Sequence, residues 1–355
     1  MTKLEKLRNK MRELNVDSVI ILDELNQRYL SDFAFTDGYL FITQTSAYLV
    51  TDFRYYEMAL KAASKDFEVT MTKERREFLL NAIEKDSVKT VGFEGGSVSF
   101  STYIVYKEAY PNVEFVNIND AVELIRQIKT SEEIAYLQKA QDITDKAFSH
   151  VLSILSCNMT EQDVAVELEY AMRKNGAEGF SFDTITVSGD ASALPHGTPR
   201  NCKLKKGFLT MDFGAKFNGY CADMTRTVVI GRADDEMKKL YNTVLSAQRA
   251  ALDFIRAGVD ASEADKVARD IIDAVPEFKG AFGHSLGHSI GLLVHETPGL
   301  SPKYKGTKLR VGEIYSCEPG IYLFGKYGCR IEDMLAVEEN GIYNFTHSTK
   351  ELIEI

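Results

Sequence analysis

The apolar positions of the opening stretch switch between a helical period and short continuous runs. Leu4–Leu14 has helical spacing and stops near Asn15, and Val19–Leu22 is a short apolar strand. Leu40–Ile42 and Ala47–Val50 are spaced as the two arms of a hairpin. Tyr55–Ala63, Arg76–Ile83 and Thr102–Ala109 read as helices, with Val88–Gly92 a strand between the last two. The alternation runs to about Val116 and predicts an α/β domain with helices layered on a central sheet. Within it, Thr51–Tyr55 (TDFRY) reads as a local ion pair at a helix start.

A boundary near Ile125–Lys129 divides the chain into residues 1–125 and 126–355. Thr130 with Glu133 forms a capping box opening a long helix with apolar Ile134, Leu137, Ile143, Ala147, Val151 and Leu155. A second helix starts at Thr160, with Asp163 three residues on, and stops at Asn175-Gly176. Strand-rich sequence follows, then a hairpin. After Gly231 the order recurs: a helix over Asp235–Ala257, another over Asp260–Ala274, strands, and a hairpin from Glu313 to Glu338. The second domain therefore reads as an internal structural repeat.

Both hairpins are acidic. In Phe208–Val228 the turn falls on Asn218-Gly219, the commonest two-residue hairpin signal. Asp212 then faces Thr225, Gly214 faces Asp223, and the two aspartates become diagonal neighbours roughly 7–8 Å apart at the backbone. Buried carboxylates that close repel unless a proton or a cation sits between them. In the second hairpin Glu318 and Glu332 are symmetric about Gly325 and lie opposite each other on one face. Each half of the repeat thus offers two inward acids.

Composition narrows the function. A net charge of −10 opposes nucleic acid as a partner and offers no basic patch for a membrane surface. No apolar run reaches the roughly 18–20 residues of a membrane span, and Met1–Arg8 leads into a charged amphipathic helix, so the expected location is cytoplasmic. The five cysteines include no C-x-x-C, which fits reduced thiols. All six histidines fall in the second domain. His150 and His347 read as hydrogen-bonded core residues; His196, His284, His288 and His295 lie near glycines. The glycines at 283, 287 and 291 make FGHSLGHSIG a poor helix, so His284, Leu286 and His288 are expected on one face of an extended segment. Four carboxylates with an imidazole suit a pair of divalent ions, and the oxygen-rich set favours Mn²⁺, Co²⁺ or Fe²⁺ over a thiolate zinc site.

MDFGAKFNGYCADMTRT, FGHSLGHSIGLLVHETPGL, CEPGIY and GCRIEDM resemble, in order and spacing, the pita-bread metallopeptidases, and among them the Xaa-Pro peptidases, aminopeptidase P and prolidase. The opening segment resembles the creatinase-type N-terminal domain, and IRQIKTSEEIAYLQKA the start of the catalytic domain. The resemblance implies an α/β creatinase-like domain followed by an α+β pita-bread catalytic domain with an internal pseudo-twofold repeat. It implies a dinuclear site in which Asp212 binds one metal, Asp223 and Glu332 bridge both, and His288 and Glu318 complete the second. His196, His284 and His295 match histidines that contact substrate or back the ligands, and Arg330 and Thr225 stand behind the carboxylates. The implied cofactors are two divalent ions, Mn²⁺ first, with Co²⁺, Fe²⁺ or Zn²⁺ as alternatives.

The chemistry implied is hydrolysis of the Xaa-Pro bond at a peptide N-terminus. A metal-bridging hydroxide is the nucleophile, Glu318 shuttles the proton, and His295 and His284 donate to the oxyanion. A prolidase also needs a cation for the free carboxylate of proline. Gly299 stands just after HETP, where such a basic residue is expected, which tilts the reading toward an aminopeptidase; Lys303 or Lys305 could serve a dipeptidase instead. A non-catalytic pita-bread binding module is the remote alternative, opposed by the full set of ligand types. The partner implied is a proline-containing peptide, and relatives of this kind form homodimers.

Overall fold

The computed structural model describes residues 1–355 and divides them into two units, Met1–Arg126 and Gln127–Ile355. In the first, strands β1 (Ser18–Ile21), β2 (Gly38–Thr43), β3 (Ala47–Thr51), β4 (Glu68–Met71), β5 (Thr90–Phe93) and β6 (Glu114–Asn117) form one sheet in the order β4-β3-β2-β1-β5-β6. Helices α1 (Lys3–Glu13), α2 (Glu24–Ser31), α3 (Phe53–Ala62), α4 (Arg75–Lys85), α5 (Phe100–Ala109) and α6 (Ala121–Arg126) accompany it. The β2–β3 hairpin is antiparallel and the outer pairs are parallel. Asp52 caps α3 through the Arg54 amide, and the Arg54 guanidinium reaches Asp52 at 2.6 Å and Asp37 at 2.7 Å.

Four elements escape the hydrophobic pattern, α6 among them because its 6 residues are too few to show a helical period. Helix α2 is mostly polar, yet Asn26 and Gln27 are buried, because Asn26 donates to the buried Glu94 carboxylate at 2.7 Å. Burial pushes the Glu94 carboxyl up to about 7 against the lowering effect of its amide donors. Strands β4 and β6 are the sheet's two edges, short and half-exposed, so neither carries an apolar run.

The second unit repeats its plan. Helices α7 (Ser131–Ile154) and α8 (Glu161–Lys174) both begin with complete capping boxes, at Thr130/Glu133 and Thr160/Asp163. They are followed by β7 (Gly179–Phe180), β8 (Ile185–Ser188), β9 (Gly207–Phe213), β10 (Ala215–Phe217), β11 (Tyr220–Cys221) and β12 (Met224–Ile230). Helices α9 (Asp235–Phe254) and α10 (Ala261–Asp273) start the second half. It continues with β13 (Gly287–Ser289), β14 (Glu296–Leu300), β15 (Ile314–Cys317), β16 (Gly320–Leu323), β17 (Tyr327–Arg330), β18 (Asp333–Glu338) and β19 (Gly341–Asn344). No helix is long and apolar enough to cross a membrane.

Strand β9 is buried on both faces. Leu209, Met211 and Phe213 pack with α7 and α8, whereas Phe208 joins the core built on α9 and α10. The alternation leaves Thr210 and Asp212 on the face turned toward the second half. Asp212 pairs with Thr225 as the turn residues require, and beyond a break Lys216 pairs with Cys221 in the same register. Asn218 and Gly219 both take positive φ, the conformation of a tight hairpin turn. The other hairpin pairs Gly320 with Arg330 and Leu323 with Tyr327 around Gly325, so Glu318 and Glu332 flank its open end.

The ladder is interrupted at Gly214, between β9 and β10. A Cβ there would lie 1.9 Å from the Ala222 carbonyl oxygen, a backbone atom that cannot swing aside. Gly214→Ala is expected to cost about 1–3 kcal/mol from overpacking and to displace Asp223. The checks are a lower melting temperature and reduced metal uptake; a variant wild-type in both would contradict this account.

Candidate metal centre

One cavity of about 540 Å³ gathers Asp212, Asp223, His288, Glu318 and Glu332. His196, His284, His295 and Arg330 line it too. The two hairpins deliver these acids from distant parts of the chain, joined where the Glu332 amide donates to the Thr225 carbonyl at 3.1 Å. Donor atoms of Asp223, His288 and Glu332 all lie within 4.8 Å of one another. His288 Nε2 is 3.5 Å from Asp223 Oδ2 and 3.3 Å from Glu318 Oε1. Asp212 lines the same cavity but is drawn to Arg330, whose Nη2 donates to its Oδ2 at 2.6 Å.

Arg330 organises both hairpins. Its Nε donates to the Thr225 hydroxyl at 2.9 Å, and that hydroxyl donates to Glu332 Oε2 at 2.6 Å. Its Nη1 donates to the Pro195 carbonyl at 3.2 Å and to the Tyr322 hydroxyl at 2.8 Å. One guanidinium therefore orients Asp212 directly and Glu332 through Thr225.

The electrostatics ask for a cation. Burial, then the Glu332 and Asp212 charges, push Asp223 well above its ordinary value; burial with the Glu318 and Asp212 charges does the same to Glu332. Burial likewise opposes the charge on Glu318, but His288 outweighs it and holds that carboxyl at about 2. Asp212 Oδ1 and Glu332 Oε1 are buried without any hydrogen-bond donor. Two orphaned carboxylate oxygens beside an imidazole fit a bound divalent cation.

The histidine tautomers add to the fit. A carbonyl only accepts, so His288 Nδ1 carries a proton toward the Ser289 carbonyl at 3.3 Å. Burial disfavours charge on the ring, but Glu318 outweighs it and raises the pKa, so Nε2 holds a second proton toward Glu318 where a cation would sit. His284 Nδ1 likewise donates to the Ser285 carbonyl at 2.8 Å, and its Nε2 accepts from the Tyr322 hydroxyl at 3.0 Å. Burial lowers the His284 pKa, keeping the ring neutral and turned to Tyr322. The His295 ring stands edge-on to His288 at 4.3 Å between centroids, and burial followed by the His288 charge lowers its pKa.

The remaining expectations divide. His284 and His288 both line the cavity, whereas Leu286 is fully buried in the core behind them. His150 is half-buried and meets Glu167 at 2.9 Å. His347 is exposed, not a core residue; only its backbone is anchored, to Asp145. Gly299 pairs with His288 across β13–β14, and the exposed Lys303 and Lys305 do not line the cavity. Tyr322, which links His284 to Arg330, carried no signal in the sequence beyond its place in CEPGIY.

A helix-pair repeat around two acidic hairpins, with an acid- and histidine-lined cavity between them, defines a metallohydrolase of the pita-bread type. The chain belongs to Metallopeptidase family M24, whose model matches residues 135–339, and a Creatinase/Prolidase N-terminal domain matches residues 3–128. It is similar to the Xaa-Pro dipeptidase from Bacillus anthracis, with 40% identity, a TM-score of 0.95 and 99% of each chain covered. It is similar also to the X-Pro aminopeptidase from Thermotoga maritima, with 35% identity, a TM-score of 0.92, and 98% of this chain and 100% of that one covered. The Xaa-Pro dipeptidase of Pyrococcus furiosus is 36% identical over 353 residues, 99% of each chain. The protein is accordingly a peptidase of the Xaa-Pro dipeptidase and aminopeptidase group.

Proposed function

We propose that this enzyme hydrolyses Xaa-Pro dipeptides with two divalent cations, Mn²⁺ first among them, held by Asp212, Asp223, His288, Glu318 and Glu332. The likeness over 99% of both chains to proteins named Xaa-Pro dipeptidase carries the choice of a dipeptide substrate. The orphaned oxygens of Asp212 and Glu332 support the cations. When bound, the cations supply Lewis acidity, lowering the pKa of water and polarising the scissile carbonyl.

The chain's own residues do the rest. Glu318, ionised beside His288, accepts the proton of the attacking water and passes it to the proline nitrogen as the bond breaks. Unprotonated, that nitrogen would leave as a strongly basic anion, so the proton must reach it as the bond breaks. The His295 ring makes no hydrogen bond of its own and is the donor to the developing oxyanion. His284, committed to Ser285 and Tyr322, acts through Arg330 instead. His196, exposed at the cavity wall, meets the substrate.

A second reading, an aminopeptidase acting on longer peptides, has its own support. The only lysine or arginine lining the cavity is Arg330, and its donors are already committed, so no free side-chain cation awaits a proline carboxylate there. Hydrolysis of Ala-Pro and Ala-Pro-Ala-Ala by Mn²⁺-loaded enzyme separates the two. Cleavage of the dipeptide with the longer peptide intact is the expected result. Release of alanine from the longer peptide would establish the aminopeptidase, and no cleavage of either with metal bound would sink the proline specificity.

A further inference from the structure

The segment that brings His196 to the cavity is an excursion from Ser188 to Arg200, and one buried carboxylate holds both of its ends. Glu161, the first residue of α8, is fully buried. Its Oε1 accepts from the Ser188 amide at 2.7 Å, from the Ser188 hydroxyl at 2.8 Å and from Arg200 Nη2 at 2.6 Å. Its Oε2 accepts from the Arg200 amide at 3.0 Å and from Nε at 2.8 Å. Arg200 Nη2 also reaches the Ser188 carbonyl at 3.3 Å, closing the two ends on each other. Burial disfavours the charge on Glu161, yet Arg200 and Ser188 outweigh it and hold the carboxyl below its ordinary value.

Inside this closure Pro195, His196, Gly197, Thr198 and Pro199 line the cavity. The rest of the excursion is tied where the Gly328 amide donates to Ser192 Oγ at 3.0 Å and where Arg330 donates to the Pro195 carbonyl. Beyond Pro195 the path to Arg200 has no side-chain anchor before the clasp. A flexible loop whose ends are fixed samples far fewer conformations than one free at an end.

We propose that the Glu161–Arg200 pair is a positioning device for His196, setting that imidazole against the substrate from outside the metal centre. The inference rests on the reading of His196 as a substrate contact. A displacement of about 1 Å in such a group costs up to roughly a hundredfold in rate, so the clasp matters to turnover without touching the reacting atoms. It does not touch the proposed metal ligands.

The test is a double-mutant cycle on the Mn²⁺ enzyme, with kcat and KM for Ala-Pro, metal content and melting temperature measured together. Arg200→Ala is expected to lower kcat/KM about tenfold with full metal content. Arg200→Lys, which keeps the charge but loses the two-pronged contact, should recover part of that loss. His196→Ala is expected to lose at least as much, and adding Arg200→Ala to it should change nothing further. Losses that multiply in the double variant, or that follow metal content, would mean ordinary structural support and overturn the proposal. An impaired His196→Ala beside a fully active Arg200→Ala would overturn the clasp alone. Full activity in His196→Ala would instead remove His196 from the proposed function, and the clasp with it. If Arg200→Ala does not fold, Arg200→Lys carries the same cycle.

Discussion

Glu332→Gln is expected to abolish metal-dependent hydrolysis and, at the same time, to stabilise the metal-free protein. Glu332 is buried, accepts from Thr225 through Oε2 and leaves Oε1 without a donor. Glutamine keeps the shape, so no cavity opens. It also keeps an oxygen for the Thr225 hydroxyl. Its amide nitrogen replaces an anionic oxygen beside Asp223, turning repulsion into a hydrogen bond. The loss of one carboxylate from the proposed ligand set removes several kcal/mol of transition-state stabilisation, so activity should fall about a thousandfold or more. Each kcal/mol gained by the metal-free form raises its melting temperature by roughly 2–4 °C.

The sign of the pH dependence follows from the raised pKa values. A carboxyl whose folded pKa lies above its unfolded value penalises the fold increasingly as pH rises from the unfolded value through the folded one. Burial and neighbouring carboxylates raise both Asp223 and Glu332, so the metal-free wild type should lose stability over that rise. The advantage of Glu332→Gln should therefore grow with pH and shrink toward the ordinary carboxylate range near about 4. Thermal melts of both proteins in a chelator, and again with Mn²⁺, measure all of this. A variant that bound Mn²⁺ as tightly as wild type, or gained nothing in the chelator, would remove Glu332 from the metal centre.

Much of this centre was legible because local rules fix the hairpins. Asn218-Gly219 sets one turn and Gly325 the other, and a two-residue period then decides which acids face inward. The capping boxes at Thr130 and Thr160 marked the helix starts for the same reason: each is a contact over three residues. What stayed hidden depends on contacts between distant segments. The resemblance places Arg330 behind a carboxylate ligand, but that the partner is Asp212 is not visible, because their registers belong to different hairpins. The tautomer of His284 is set by Ser285 and Tyr322, and no spacing encodes it. Glu161 reads as an ordinary acid in a first helical turn, and only the fold brings Ser188 and Arg200 to it. His347 failed because a lone histidine is by default a hydrogen-bonded core residue, whereas this one follows the buried Phe345 and Thr346 and is exposed.

Arg330→Lys tests how far one residue couples the two hairpins. The guanidinium serves four partners at once: Asp212, Thr225, the Pro195 carbonyl and the Tyr322 hydroxyl. An ammonium carries the same charge on one nitrogen, with three donors in a compact cone, and cannot span that set. If it stays with Asp212, Thr225 loses the donor that orients it toward Glu332, and both hairpins lose their common hold. Metal affinity and activity should each fall about 10- to 100-fold, the range for groups that orient ligands, while the fold survives because the buried charge on Asp212 is still met. Arg330→Met goes further. It strands Asp212 as an unpaired buried carboxylate, which costs about 3–5 kcal/mol in the metal-free protein and should be largely recovered when a cation binds. Titration of Mn²⁺ into each variant, read by calorimetry and by melting temperature, separates the two effects. Equal metal affinity in Arg330→Lys and wild type would show that Asp212 and Glu332 are held by their own strands, with the arginine only filling space between them.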